Sequence, residues 1–170
     1  MQHEAHVHAP SADAVREGLL AALRTFGLRD SYLLRHDLHE RTLTHKLAEY
    51  IQPLFPDWNV DCEYNRDGHD PKRVRIAAPA PLHEDEGSNV FPDIIIHRRG
   101  TNEYNILVLE AKKSRDGGDG INERDRQKVE AFIADLKYRY GALVVFHVGD
   151  GATPFHAYMY CNDEWRRLGA

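Results

Sequence analysis

Residues Val90 to Ser114 read VFPDIIIHRRGTNEYNILVLEAKKS. Two apolar runs, Phe91 to His97 and Tyr104 to Ala111, flank a short polar turn that contains Gly100. Both runs are short and rich in Ile, Val and Leu, which predicts two adjacent strands of a buried sheet. Charge interrupts them at defined places. Asp93 stands at the start of the first run, and Glu110 and Lys112 at the end of the second. Strand side chains alternate between faces, so Glu110 and Lys112 point the same way. Charges at the end of an apolar strand are costly to bury unless they are paired or hold a metal. Two readings follow: a metal site built on Asp93 and Glu110, or a structural ion pair of Asp93 with Lys112 or Lys113.

Working outward toward the N-terminus, Asp37 to Leu54 predicts a helix. Asp37 is placed as its cap and Glu40 three residues on completes a capping box. Leu43, Leu47 and Ile51 make the apolar stripe, and Pro53 ends the helix. Glu40 lies on nearly the same side as that stripe, so it is either a capping group or a carboxylate reaching the sheet edge. His39, Glu40 and His45 do not make a zincin motif, because the second histidine comes too late to share the required helix face. Before it, Ser11 to Phe26 reads as an additional helix. Ser11 is its cap, Val15, Leu19, Leu23 and Phe26 form its stripe, and Gly27 is its expected C-cap. Residues 1–10, with His3, His6 and His8, are expected to be a flexible tail.

Asn59 to Arg66 alternates as a half-buried strand, with Asp61, Glu63 and Asn65 on the polar face. Glu63 is read either as a solvated strand residue or as a neighbour of the Asp93 site. Asp67-Gly68 makes a turn. Asp70 to Ser88, with its prolines and the acidic Glu84-Asp85-Glu86, reads as a long loop with a short strand over Arg73 to Ile76.

After Lys112 the glycines of SRDGGDGIN mark a turn. They do not make a phosphate loop, since the Walker lysine and hydroxyl are missing. Asn122 then caps a helix to about Tyr138, with Val129, Phe132, Ile133 and Leu136 buried. Gly141 opens a strand over Ala142 to Val148, and Gly149-Asp150-Gly151 turns the chain into a last strand, Phe155 to Tyr160. Cys161 to Ala170 reads as a polar tail anchored by Trp165.

From Asp37 onward the order is therefore α-β-β-β-α-β. Pro92-Asp93 followed by Glu110-Ala111-Lys112 resembles the PD-(D/E)XK signature of the restriction-endonuclease-like nuclease superfamily. The resemblance runs from about Asp37 to His147. It implies an α/β fold with a mixed central sheet flanked by helices, here with an extra N-terminal helix, in a single domain over residues 11–170.

The resemblance also implies a divalent-metal-dependent phosphodiester hydrolase, a nuclease acting on DNA in preference to RNA. Asp93, Glu110 and the carbonyl of Ala111 would hold Mg2+, with Mn2+ as a substitute, and Lys112 would sit beside the attacking water. Magnesium prefers oxygen ligands and is usually held by one or two carboxylates plus water and substrate phosphate. A divalent cation can supply the nucleophile and neutralise charge growing on phosphate. Glu40 matches the acidic residue that such proteins often carry on the first core helix. Gln127 and Lys128 match the polar or basic residues often found near the site on the later helix.

Composition bounds these readings. At 170 residues with 42% apolar content, the chain can bury one ordinary core. A net charge of −5 is not that of a protein binding nucleic acid by bulk charge. Phosphate affinity would have to come from local patches, such as Arg98-Arg99 and Arg124 to Lys128. The acidity favours a second class of function, a catalytically silent nucleic-acid- or protein-binding module on the same fold, which the intact Asp, Glu and Lys set opposes. A homodimer would allow two cuts, and the N-terminal helix is free for that contact. Cys62 and Cys161 show no metal or disulfide spacing and are expected to be reduced thiols of a cytoplasmic protein. No apolar run is long enough to span a bilayer, and the N-terminus lacks the pattern of a secretory signal.

Overall fold

The computed structural model describes residues 8–64, 66–67, 70–71, 91–115, 117–118, 120–150 and 153–169. The expected tail through Val7, the turn at Gly68 and the strand over Arg73 to Ile76 lie outside the described residues, as does most of the Asp70 to Ser88 loop.

The chain begins with helix α1 (Ala12–Arg29), α2 (Ser31–Arg35) and α3 (Glu40–Ile51), closed by a 3-10 turn at Gln52–Leu54. Strands β1 (Asn59–Cys62), β2 (Arg66–Asp67), β3 (Asp70–Pro71), β4 (Ile94–His97) and β5 (Leu107–Ser114) follow. Helix α4 (Glu123–Leu136) leads into β6 (Tyr140–His147), β7 (Phe155–Cys161) and β8 (Glu164–Leu168). Six strands form one sheet in the order β1-β4-β5-β6-β7-β8, while β2 and β3 pair separately. The sheet is mixed: β5 and β6 run parallel and the other neighbours antiparallel. The parallel step needs a crossover, and α4 supplies it.

The sheet is covered on both faces, and the alternation of the strands decides which residue goes where. Ile94, Ile96, Leu107, Leu109 and Ala111 join the core beneath α1 and α3. Ile95, Val108 and Leu143 join Val129, Phe132 and Leu136 of α4 on the other face. Burying both faces explains why the two central strands read as nearly continuous apolar runs. Gly141 permits the closest approach of α4. A Cβ there would lie 2.3 Å from Val129 Cγ1, so the helix could not settle on β6 with any larger residue.

Several local expectations are corrected. Helix α1 passes through Gly27 to Arg29, and Asp30 caps it by donating its N–H to the Phe26 carbonyl at 2.8 Å. Gly27 instead lies against Pro154. Helix α3 starts at Glu40 with His39 as its cap, because Asp37 is turned into a left-handed conformation (φ 50°) and its carboxylate is held elsewhere. Strand β1 ends at Cys62, since Glu63 takes φ 48° and leaves the ladder. The expected C-terminal tail contains β8. Asn162 and Asp163 both adopt positive φ, the requirement of a two-residue hairpin turn, and Trp165 pairs with Tyr160 across it. The anchoring expected of Trp165 takes the form of a 2.7 Å hydrogen bond from its indole to Glu130.

Candidate metal and phosphate site at the ends of β4 and β5

The β4–β5 ladder aligns Ile94 with Leu109. One step back along β4 lies Asp93, and one step on along β5 lies Glu110, so the register carries two carboxylates past the last apolar pair. Directly opposed like charges repel. Asp93 also ties the strands together: its Oδ2 accepts the Ala111 N–H at 2.7 Å. In an antiparallel ladder a residue's N–H and C=O point to the same side. The Ala111 carbonyl therefore faces the side of Asp93.

Glu110 is only 1% exposed. Its Oε2 accepts from Lys128 Nζ at 2.5 Å. Its Oε1 is buried with no hydrogen-bond partner among the described residues. Burial, followed by the field of Asp93, pushes the Glu110 carboxyl up to about 8, and Lys128 offsets only part of that. Asp93 is also raised, by burial, against the opposing hydrogen bond from Ala111. Glu40, the first residue of α3, is raised by burial and then by Asp93. The three carboxyl groups thus share one electrostatic neighbourhood in which each is harder to ionise than in water.

Lys112 stands between these groups. Burial alone would lower its pKa, yet Asp125, Glu110 and Glu40 hold it above the usual lysine value. Its Nζ lies 3.4 Å from Asp125 Oδ1. Asp125 in turn is fixed by a capping box. Its N–H donates to Asn122 Oδ1 at 3.0 Å, and its Oδ2 accepts the Asn122 N–H at 3.2 Å. The N-terminus of α4 therefore positions the lysine.

The structure corrects the ion-pair expectation. Asp93 pairs with neither lysine. Lys113, one residue on and so on the opposite face, reaches Asp37 Oδ1 at 2.7 Å and the Leu38 carbonyl at 3.0 Å. Arg115 also grips Asp37. Asp37 thus pins the approach to α3 onto the end of β5. This places Glu40, and makes Asp37 a brace instead of a cap. Glu63 lies at the rim: its N–H donates to the Asp93 carbonyl at 3.2 Å, and its carboxylate pairs with Arg41 at 2.7 Å.

Of the residues singled out from the sequence, Glu40, Asp93, Glu110, Ala111, Lys112 and Lys128 come together. Gln127 does not: it is exposed and hydrogen-bonds Glu123 one turn back on its own helix. Asp125 was missed, although the Asn-x-x-Asp spacing from Asn122 is a visible capping signal. The Asp37–Lys113–Arg115 cluster joins residues far apart in the chain and left no local signal.

Among the described residues, no three His, Cys, Asp or Glu side chains gather into a ready-made metal cage. The donors present still suit magnesium, which binds through one or two carboxylates and keeps several waters. The buried, unpartnered Glu110 Oε1 beside a second raised carboxyl is the kind of group a hard cation satisfies. Among the described residues, no helix is long and apolar enough to cross a membrane. The chain matches no known protein family, and no curated protein sequence matches it.

Proposed function

We propose that the protein is a divalent-metal-dependent phosphodiester hydrolase of the PD-(D/E)XK type, acting on nucleic acid and on DNA in preference to RNA. The observation that carries this reading is the meeting of Asp93, Glu110 and Lys112 at adjacent strand ends beside Glu40, with Asp93 and Glu40 in no ion pair among the described residues. The order α3, β1, β4, β5, α4, β6 supports a restriction-endonuclease-like arrangement.

Asp93, Glu110 and the Ala111 carbonyl would hold Mg2+ or Mn2+, with Glu40 close enough to assist. The bound cation would supply a water of lowered pKa and neutralise charge on the phosphate. With no metal bound, three carboxyl groups favour the charged form of Lys112. In that form it is a fixed positive charge that orients water and stabilises the transition state. Asp125, in the first turn of α4, holds its ammonium in place at 3.4 Å. The carboxylates alone repel a phosphodiester, so substrate approach depends on Lys112, Lys128 and the cation together.

One observation favours a second reading. Lys128 already pairs with Glu110, as it would in a catalytically silent module that binds nucleic acid or protein. The two readings separate in a substrate panel of linear duplex DNA, single-stranded DNA and RNA, assayed with Mg2+, Mn2+ or chelator. A hydrolase gives metal-dependent cleavage that Asp93→Ala abolishes. Binding without cleavage under every condition would replace it with the silent module.

A further inference from the structure

We infer that Lys128 is a built-in counter-ion that occupies the cation position at Glu110 until a divalent metal displaces it. This rests on the hydrolase reading and adds a loading step to it. Glu110 is 1% exposed, and its one charged hydrogen bond is the 2.5 Å contact to Lys128. A buried carboxylate is costly to ionise unless a proton or a cation offsets its charge, and in the metal-free protein the Lys128 ammonium stands there. The other nearby lysines are committed elsewhere, Lys112 to Asp125 and Lys113 to Asp37. Lys128 differs from its partner in one respect that matters. Its side chain is 23% exposed against 2% for Glu110, so Lys128 has a contact with solvent that Glu110 nearly lacks. It rises from the second turn of α4, with its Nζ 5.9 Å from the Phe132 ring centroid, a contact that does not require Glu110.

A divalent cation carries twice the charge of the ammonium and can engage Glu110 and Asp93 at once, which one lysine does not do here. Cation and ammonium share one carboxylate, the ammonium on Oε2 and the cation on the unpartnered Oε1, and repel each other across it. Metal binding therefore releases Lys128 toward solvent.

The test is amine acylation of the wild-type protein at fixed pH, read at each lysine by mass spectrometry, with and without Mn2+. Expected is a several-fold rise in labelling of Lys128 on adding Mn2+, with Lys46, paired to Glu49 outside the site, unchanged. Glu110→Gln should label fast at Lys128 with or without metal. Lys128→Met should bind Mn2+ roughly tenfold tighter or more by calorimetry, since the competitor is gone. If calorimetry shows bound Mn2+ while Lys128 stays protected, or if Lys128→Met binds metal more weakly, the exchange is overturned and the hydrolase reading stands. If no Mn2+ binds at all, both fall.

Discussion

At the scale of single residues, Glu110 has the most to reveal. Its carboxyl is raised from about 4.5 to about 8 in the folded, metal-free protein. Between those values the folded chain keeps a proton that the unfolded chain has released, so stability falls as pH rises through that window. The loss is about a few kcal/mol by linkage. Urea denaturation at pH 5 and pH 8 should show this loss in wild type and little of it in Glu110→Gln. Asp125 makes a second case. Besides capping α4, it reaches the site through Lys112, so Asp125→Ala should lower the rate while leaving metal affinity nearly unchanged. Asp125→Asn keeps the capping geometry and should recover stability but not the full rate. Thermal melts beside rate measurements distinguish the two contributions.

At the scale of elements, legibility followed the range of the forces. The central strands were readable because Ile94 to Ile96 and Leu107 to Leu109 are buried on both faces. The caps at Ser11 and Asn122 were readable because both bonds close within three residues. Asp37 misled for the opposite reason: its sequence neighbours fit a cap, but Lys113 and Arg115 take its carboxylate from far along the chain. The five residues of α2 bury only Leu34, too little for periodicity to register. Strand β8 was missed because its turn, Asn162-Asp163, carries the positive-φ preference without a glycine to announce it. The approach of α4 to β6 gives a direct test. Gly141→Ala should destabilise by about 1–3 kcal/mol, the usual cost of overpacking, since its new methyl meets Val129. Pairing it with Val129→Ala should restore part of the loss, measured by denaturant midpoints.

At the scale of the whole molecule, a mixed sheet delivers charged residues to one place while burying apolar residues on both faces. Asp93, Glu110 and Lys112 arrive from adjacent strand ends, Glu40 from the start of α3, and Asp125 and Lys128 from the first turns of α4. The strand-borne residues of this group were legible from spacing and alternation. What the sequence could not convey was the division of the lysines: Lys112 to Asp125, Lys113 to Asp37, and Lys128 to Glu110. With a net charge of −5, the protein should bind nucleic acid only weakly without metal.

The central claim is that these strand ends hydrolyse phosphodiesters with Lys112 as a fixed charge. The most direct measurement is nicking of supercoiled plasmid in Mg2+ by wild type beside Lys112→Ala, with metal binding of both followed by calorimetry. Expected is nicking by wild type that chelator stops, and none by Lys112→Ala although it still binds metal. Undiminished nicking by Lys112→Ala, or intact plasmid after incubation with metal-loaded wild type, would contradict the claim.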